Sequence, residues 1–163
     1  MADIDINPHQ VEAFTFALSS LELGGAILAD EVGLGKTIEA GLAIKYLLCS
    51  GKNKILLIMP SNLRKQWQVE LEEKFDIDSL IVDSSNWEDY PEEVKSKQAV
   101  IIVSYHFASK RKTEFGKIAW DFCVFDEAHR LRNVYKNGSK MANSLYELTK
   151  GIPKILLTAT PMQ

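Results

Sequence analysis

The chain has 163 residues, 46% hydrophobic and 25% charged, with a formal net charge of −3. That length supports one domain with its own core, and the acidic balance excludes a protein that holds nucleic acid by overall charge. No apolar run approaches the roughly 18–20 residues of a membrane span, and the opening MADIDINPHQ is unlike a signal peptide, so a cytoplasmic protein with no membrane partner is expected.

The first expected element is a helix over residues 8–21, with Asn7 as cap and Pro8 at its first position. A short apolar strand, Ala26–Ala29, runs into Asp-Glu-Val-Gly-Leu-Gly-Lys-Thr, and helical periodicity resumes over 36–49 until Gly51 stops it. Cys49, in this helix, and Cys123 both lie in apolar stretches and are expected to be buried free thiols in a reducing compartment. Lys54–Met59 reads as a strand ended by Pro60, and Ser61 as the cap of a helix reaching about Phe75. Leu80–Val82 reads as a short strand. Residues 83–97 are polar, with Trp87 and Tyr90 as anchors. Ala99–Ser104 is a β-branched strand, 105–118 is mixed and basic, and Phe122–Phe125 is a buried strand. A helix over roughly 138–149 and a strand over Lys154–Leu157 complete the order. Apolar strands alternating with helices predict an α/β fold, a mostly parallel central sheet with helices on both faces.

In such a sheet, ligands bind at the carboxyl ends of the strands. The unusual residues fall there: Asp30–Thr37, Asp126–Glu127 and Thr158–Thr160. The first segment has the phosphate-loop form GxxxxGK[ST], except that Asp30 replaces the leading glycine. Gly33 and Gly35 let the backbone curl around a phosphate, and the amides at the helix start point at the anion. Glu31, Val32 and Leu34 complete the loop. Lys36 supplies positive charge to ATP phosphates, and the Thr37 hydroxyl suits Mg²⁺. Asp126, ending a buried strand, suits Mg²⁺ held through water, and Glu127 can activate the attacking water. Gln10 offers an amide donor and acceptor that match the edge of adenine. No metal-cage spacing appears, and the three histidines are scattered.

Three strings carry a family resemblance: Ile27-Leu-Ala-Asp-Glu-Val-Gly-Leu-Gly-Lys-Thr37, Asp126-Glu-Ala-His-Arg-Leu-Arg-Asn133 and Leu156-Leu-Thr-Ala-Thr-Pro-Met-Gln163. The chain resembles the first RecA-like lobe of superfamily 2 helicases, and within it the SWI/SNF-type DNA translocases. In that family the phosphate loop opens with Asp-Glu, so Asp30 marks a branch. Pro60-Ser61 with Gln66-Trp67, and Val103-Ser104-Tyr105, resemble two further motifs. Val32 and Glu39-Ala40-Gly41 lean toward bacterial members such as the RNA-polymerase-associated branch.

The resemblance implies that Gln10 reads adenine and that Asp30 through Thr37 bind ATP. It implies that Asp126 holds Mg²⁺ and that Glu127 positions water. His129, Thr158 and Thr160 would couple the ATP state to the nucleic-acid track. Ser61, Arg64, Lys65 and Ser104 would meet nucleic-acid phosphates, DNA in preference to RNA. The basic run Lys110-Arg111-Lys112 would join them, or be a solvated face. Trp67 reads as a core or helix-packing residue. The resemblance further implies a second RecA-like lobe in the same polypeptide, absent from this chain, that donates arginine fingers. An RNA helicase lobe and a nucleotide-switched binding module without motor activity are the rival readings. A metabolic kinase would need an acceptor pocket for which no motif is seen.

Overall fold

The computed structural model describes residues 8, 12, 25–29, 35–89, 99–131 and 140–159. The helix expected over 8–21 therefore lies outside the described residues, apart from Pro8 and Glu12, both helical. Tyr90 lies outside them too.

Strand β2 (Lys54–Met59) is the spine. Its run KILLIM is buried from Ile55 onward, as a strand covered on both faces must be. β4 (Ala99–Ser104) pairs with it on one side and β5 (Phe122–Phe125) on the other, both parallel. β3 (Leu80–Ile81) extends the sheet beyond β4, while β6 (Lys154–Thr158) and then β1 (Gly25–Ala29) extend it beyond β5. The order is β1-β6-β5-β2-β4-β3, with every pairing parallel. Asp121 fixes one end of the spine: its Oδ2 accepts from the amides of Asn53 at 3.0 Å and Lys54 at 3.1 Å.

Alternate residues of strands β2 to β6 feed two separate cores, because successive side chains point to opposite faces. Ile55, Leu57, Val100, Ile102 and Val124 pack under helices α1 (Lys36–Cys49) and α2 (Arg64–Phe75). Leu56, Ile58, Ile101, Val103 and Phe125 pack on the other face. That face is covered by α3 (Tyr105–Lys110), α4 (Lys112–Phe115) and α5 (Lys140–Thr149). The expected two-faced α/β architecture is therefore what the chain adopts.

Local expectations fare unevenly. Gly51 does end α1: at φ 91° it lets its own amide reach Leu48 O and the Lys52 amide reach Leu47 O, the paired bonds of a Schellman closure. Ser61 is not a helix cap. It opens a 3₁₀ turn, Ser61–Leu63, and the α-helix starts at Arg64 without a side-chain cap. Cys49 is exposed, because it sits in the last turn of α1 where the chain leaves the sheet; Cys123, inside β5, is fully buried. The mixed segment 105–118 contains two short helices. Trp87 is an anchor as expected, packed against Phe107 and Phe115 with ring centroids 5.4 and 5.5 Å away.

Candidate functional site

The carboxyl edge of the sheet carries the candidate residues in spatial order. β1 leads toward Gly35, β6 ends at Thr158, β5 ends before Asp126, β2 ends before Pro60, and β4 ends at Ser104. Parallel register aligns these ends: Ala29 lies opposite Thr158, and Met59 opposite Ser104.

Gly35 stands immediately before α1 at φ 82°, a left-handed conformation that a side chain would disfavour. Its carbonyl accepts from the amides of Ile38 and Glu39 at 2.9 and 3.2 Å, which starts the helix. Lys36 and Thr37 occupy the first turn of this 14-residue helix, whose leading amides have no intrahelical partner and carry the positive end of the helix dipole. Gln10, Asp30, Glu31, Val32, Gly33, Leu34 and Thr160 lie outside the described residues.

Asp126 is held from four directions. Its amide donates to Ile58 O at 2.9 Å, which carries the sheet pairing one residue past β5. Tyr105 Oη donates to its carbonyl at 2.6 Å. In the side chain, Oδ2 accepts from Trp67 Nε1 at 2.9 Å and Oδ1 from the Glu127 amide at 2.8 Å. Burial pushes its carboxyl above the usual range; the Trp67 and Glu127 hydrogen bonds pull it back, the Glu127 charge raises it, and the Lys36 charge lowers it. Burial, then the neighbouring Asp126 charge, raises the Tyr105 phenol, which stays neutral and donating. Trp67 is the packing residue its position suggests, 3% exposed, yet its indole N–H also fixes a site carboxylate. A buried indole needs an acceptor, and that need was the one available signal.

Glu127 takes φ 56°. That turn sends the chain back across the edge, so Ala128 N reaches Leu157 O at 2.8 Å and the segment lies over β6. His129 then stands between two candidates: its Nε2 is 3.3 Å from Glu127 Oε2 and its Nδ1 3.4 Å from Thr158 Oγ1. The neutral tautomer with hydrogen on Nε2 satisfies both, with imidazole donating to the carboxylate and accepting from the threonine. Thr158 is fully buried. The structure thus brings Glu127, His129 and Thr158 together.

The nucleic-acid candidates sit farther along the edge. Ser61 and Lys65 are exposed. Arg64 folds inward, its Nε donating to Ser61 O at 3.1 Å and Nη1 pairing with Asp83 at 3.5 Å. Ser104 Oγ accepts from Phe107 N at 3.1 Å and so caps α3. Of the basic run, Arg111 pairs with Glu114 and lies 4.9 Å from the Trp87 ring, while Lys112 pairs with Glu147 at 2.7 Å. Those two cations are tied to their own chain, and Lys110 is exposed.

Among the described residues no cluster of three His, Cys, Asp or Glu side chains could cage a metal, and no helix is long and apolar enough to cross a membrane. Residues 9–163 match the model of the SNF2-related domain family. The chain is similar to an uncharacterized ATP-dependent helicase of Bacillus subtilis (strain 168), YqhH, at 40% identity over 96% of this chain and 26% of that protein. It is also similar to the RNA polymerase-associated protein RapA of Yersinia enterocolitica, at 35% identity over 96% of this chain and 17% of that protein. It therefore spans 26% or less of the length of these two curated relatives. Among solved structures, the Sulfolobus solfataricus SWI2/SNF2 ATPase core in complex with dsDNA shares the fold, with TM-score 0.80 and 24% identity over 97% of this chain and 32% of that one.

Proposed function

The chain belongs to the SNF2-related domain family, and from that premise we propose that it is the first, ATP-binding RecA-like lobe of an ATP-driven nucleic-acid translocase. The observation that carries this reading is the edge-to-edge arrangement of Lys36, Asp126, Glu127, His129 and Thr158 at the carboxyl ends of β1, β5 and β6. Lys36 and the leading amides of α1 bind and orient the ATP phosphates, with Asp30 to Leu34 as the rest of the loop and Gln10 on adenine. Mg²⁺ bound with ATP would neutralise charge on the phosphate oxygens. Thr37 and Asp126 are the residues that would hold it. One hydroxyl and a half-buried carboxylate, with no cluster of acidic, His or Cys ligands among the described residues, suit a cation that keeps most of its waters. Glu127 takes the proton of the attacking water. His129 holds the Glu127 carboxylate and senses Thr158, so it links the water-activating group to the segment that continues to Thr160.

The track is DNA in preference to RNA. What supports this is the Asp30-Glu31 opening and the Arg130-Leu-Arg-Asn133 continuation, which set the chain apart from the RNA helicase strings. Ser61 is exposed and its readiest phosphate contact; Lys65, whose Nζ donates to Gln68 Oε1 at 2.8 Å, Arg64 and Ser104 would contribute after releasing their internal partners. The arginine fingers come from a second lobe of the same polypeptide, and the protein works in the cytoplasm. ATPase stimulation of the full-length protein by duplex DNA and by RNA separates the two tracks. Glu127→Gln in that protein should keep ATP binding and lose hydrolysis by on the order of 10²–10⁴-fold. Unchanged turnover would sink the role of Glu127.

A further inference from the structure

The two rings that hold Asp126 come from opposite faces of the sheet. Trp67 belongs to the core under α1 and α2, and Tyr105 to the core on the other side. Both lie on helices that leave the carboxyl edge where the nucleic-acid candidates sit. Trp67 is in the first turn of α2, three residues past Arg64 and two past Lys65. Tyr105 directly follows Ser104. The two rings do different things. Tyr105 grips the Asp126 carbonyl and so fixes where β5 ends. Trp67 grips the carboxylate itself, through a charge-assisted bond of 2.9 Å, and so fixes how the carboxylate is turned. The bond joins residues 59 apart in sequence, and the indole is buried tightly enough that a shift of the first turn of α2 must carry it along.

We propose that Trp67 is a positioning residue that couples nucleic-acid contact at the start of α2 to the orientation of the Asp126 carboxylate, and so sets how strongly DNA accelerates ATP hydrolysis. The inference rests on the functional reading above. Coupling between the two sites requires that this contact differ between the DNA-free and DNA-bound states.

The test uses the full-length protein carrying this chain, with ATP turnover measured with and without saturating duplex DNA across a Mg²⁺ titration. Two variants remove the N–H: Trp67→Phe, and a Trp67 replaced by benzothienylalanine, which keeps the bicyclic shape with sulfur in place of N–H. The expected result is a drop in the DNA stimulation factor of about 5- to 10-fold. The Mg²⁺ concentration for half-maximal rate should rise, and KM for ATP should not change. The isostere decides the matter if the Phe variant folds poorly. Basal and stimulated rates falling by one common factor would overturn the proposal, since that is what a purely structural role produces. Undiminished stimulation in the isostere would overturn it equally. A parent protein that duplex DNA fails to stimulate would instead overturn the functional reading on which the inference rests.

Discussion

At Glu127 the backbone is left-handed, φ 56°, a conformation that costs a non-glycine residue about 1–2 kcal/mol. The strain buys the return of the chain over β6 and places the carboxylate against His129. Glu127→Gly should therefore unfold at a higher denaturant concentration than Glu127→Ala, by about 1 kcal/mol in stability, while both lose hydrolysis. Equal stability of the two variants would mean that the turn is unstrained. The cysteines give a second prediction. Burial raises the Cys123 thiol far above its usual range, whereas Cys49 is exposed. A thiol reagent applied to the native chain should label Cys49 alone, with Cys123 reacting only after denaturation, as peptide mass mapping would show. At this scale the sequence was legible where the local pattern sets the backbone, as at Gly35, which takes a left-handed φ of 82° directly before the helix that Lys36 opens. The Cys49 expectation failed because an apolar neighbourhood in sequence says nothing about a helix end. The Trp67 bond was invisible because its acceptor lies 59 residues away.

Strands and long helices were legible because they are long enough to show a period. β2, β4 and β5 fall within the expected bounds, and α1 begins and ends where Gly35 and Gly51 punctuate it. α3 and α4 were not, since six and four residues cannot display helical periodicity. Neither could the sequence reveal that α1 and α2 meet at Gly41. A Cβ added there would stand 2.5 Å from Phe75 Cζ, in the buried seam between the two helices. Ala is the better helix former in isolation, but overpacking outweighs that gain. Gly41→Ala should lose about 1–3 kcal/mol in a urea titration. A stabilised variant would show that the seam can open freely.

For the molecule as a whole, the proposed reading divides the labour: this lobe would bind the phosphates and activate water, and the second lobe would supply the arginine fingers. The 163-residue chain alone is therefore expected to bind ATP weakly and hydrolyse it very slowly. Robust, DNA-stimulated steady-state turnover by this chain would refute the proposed division of labour. The sequence could indicate that three segments share one edge, because strand-end residues of a parallel sheet must. It could not order them across that edge, since strand order depends on which crossovers the packing selects.

That order has a consequence for biosynthesis. β1, the strand that leads into the phosphate loop, pairs with β6 at the far end of the chain, Gly25 opposite Lys154 through Ala29 opposite Thr158. As the polypeptide emerges from a ribosome, β2, β4 and β5 can associate while β1 still has no partner. The β1 end of the candidate site is thus completed only after residue 158 has been made. Nascent chains halted before that point should expose β1 to chaperones or to other unpaired strands.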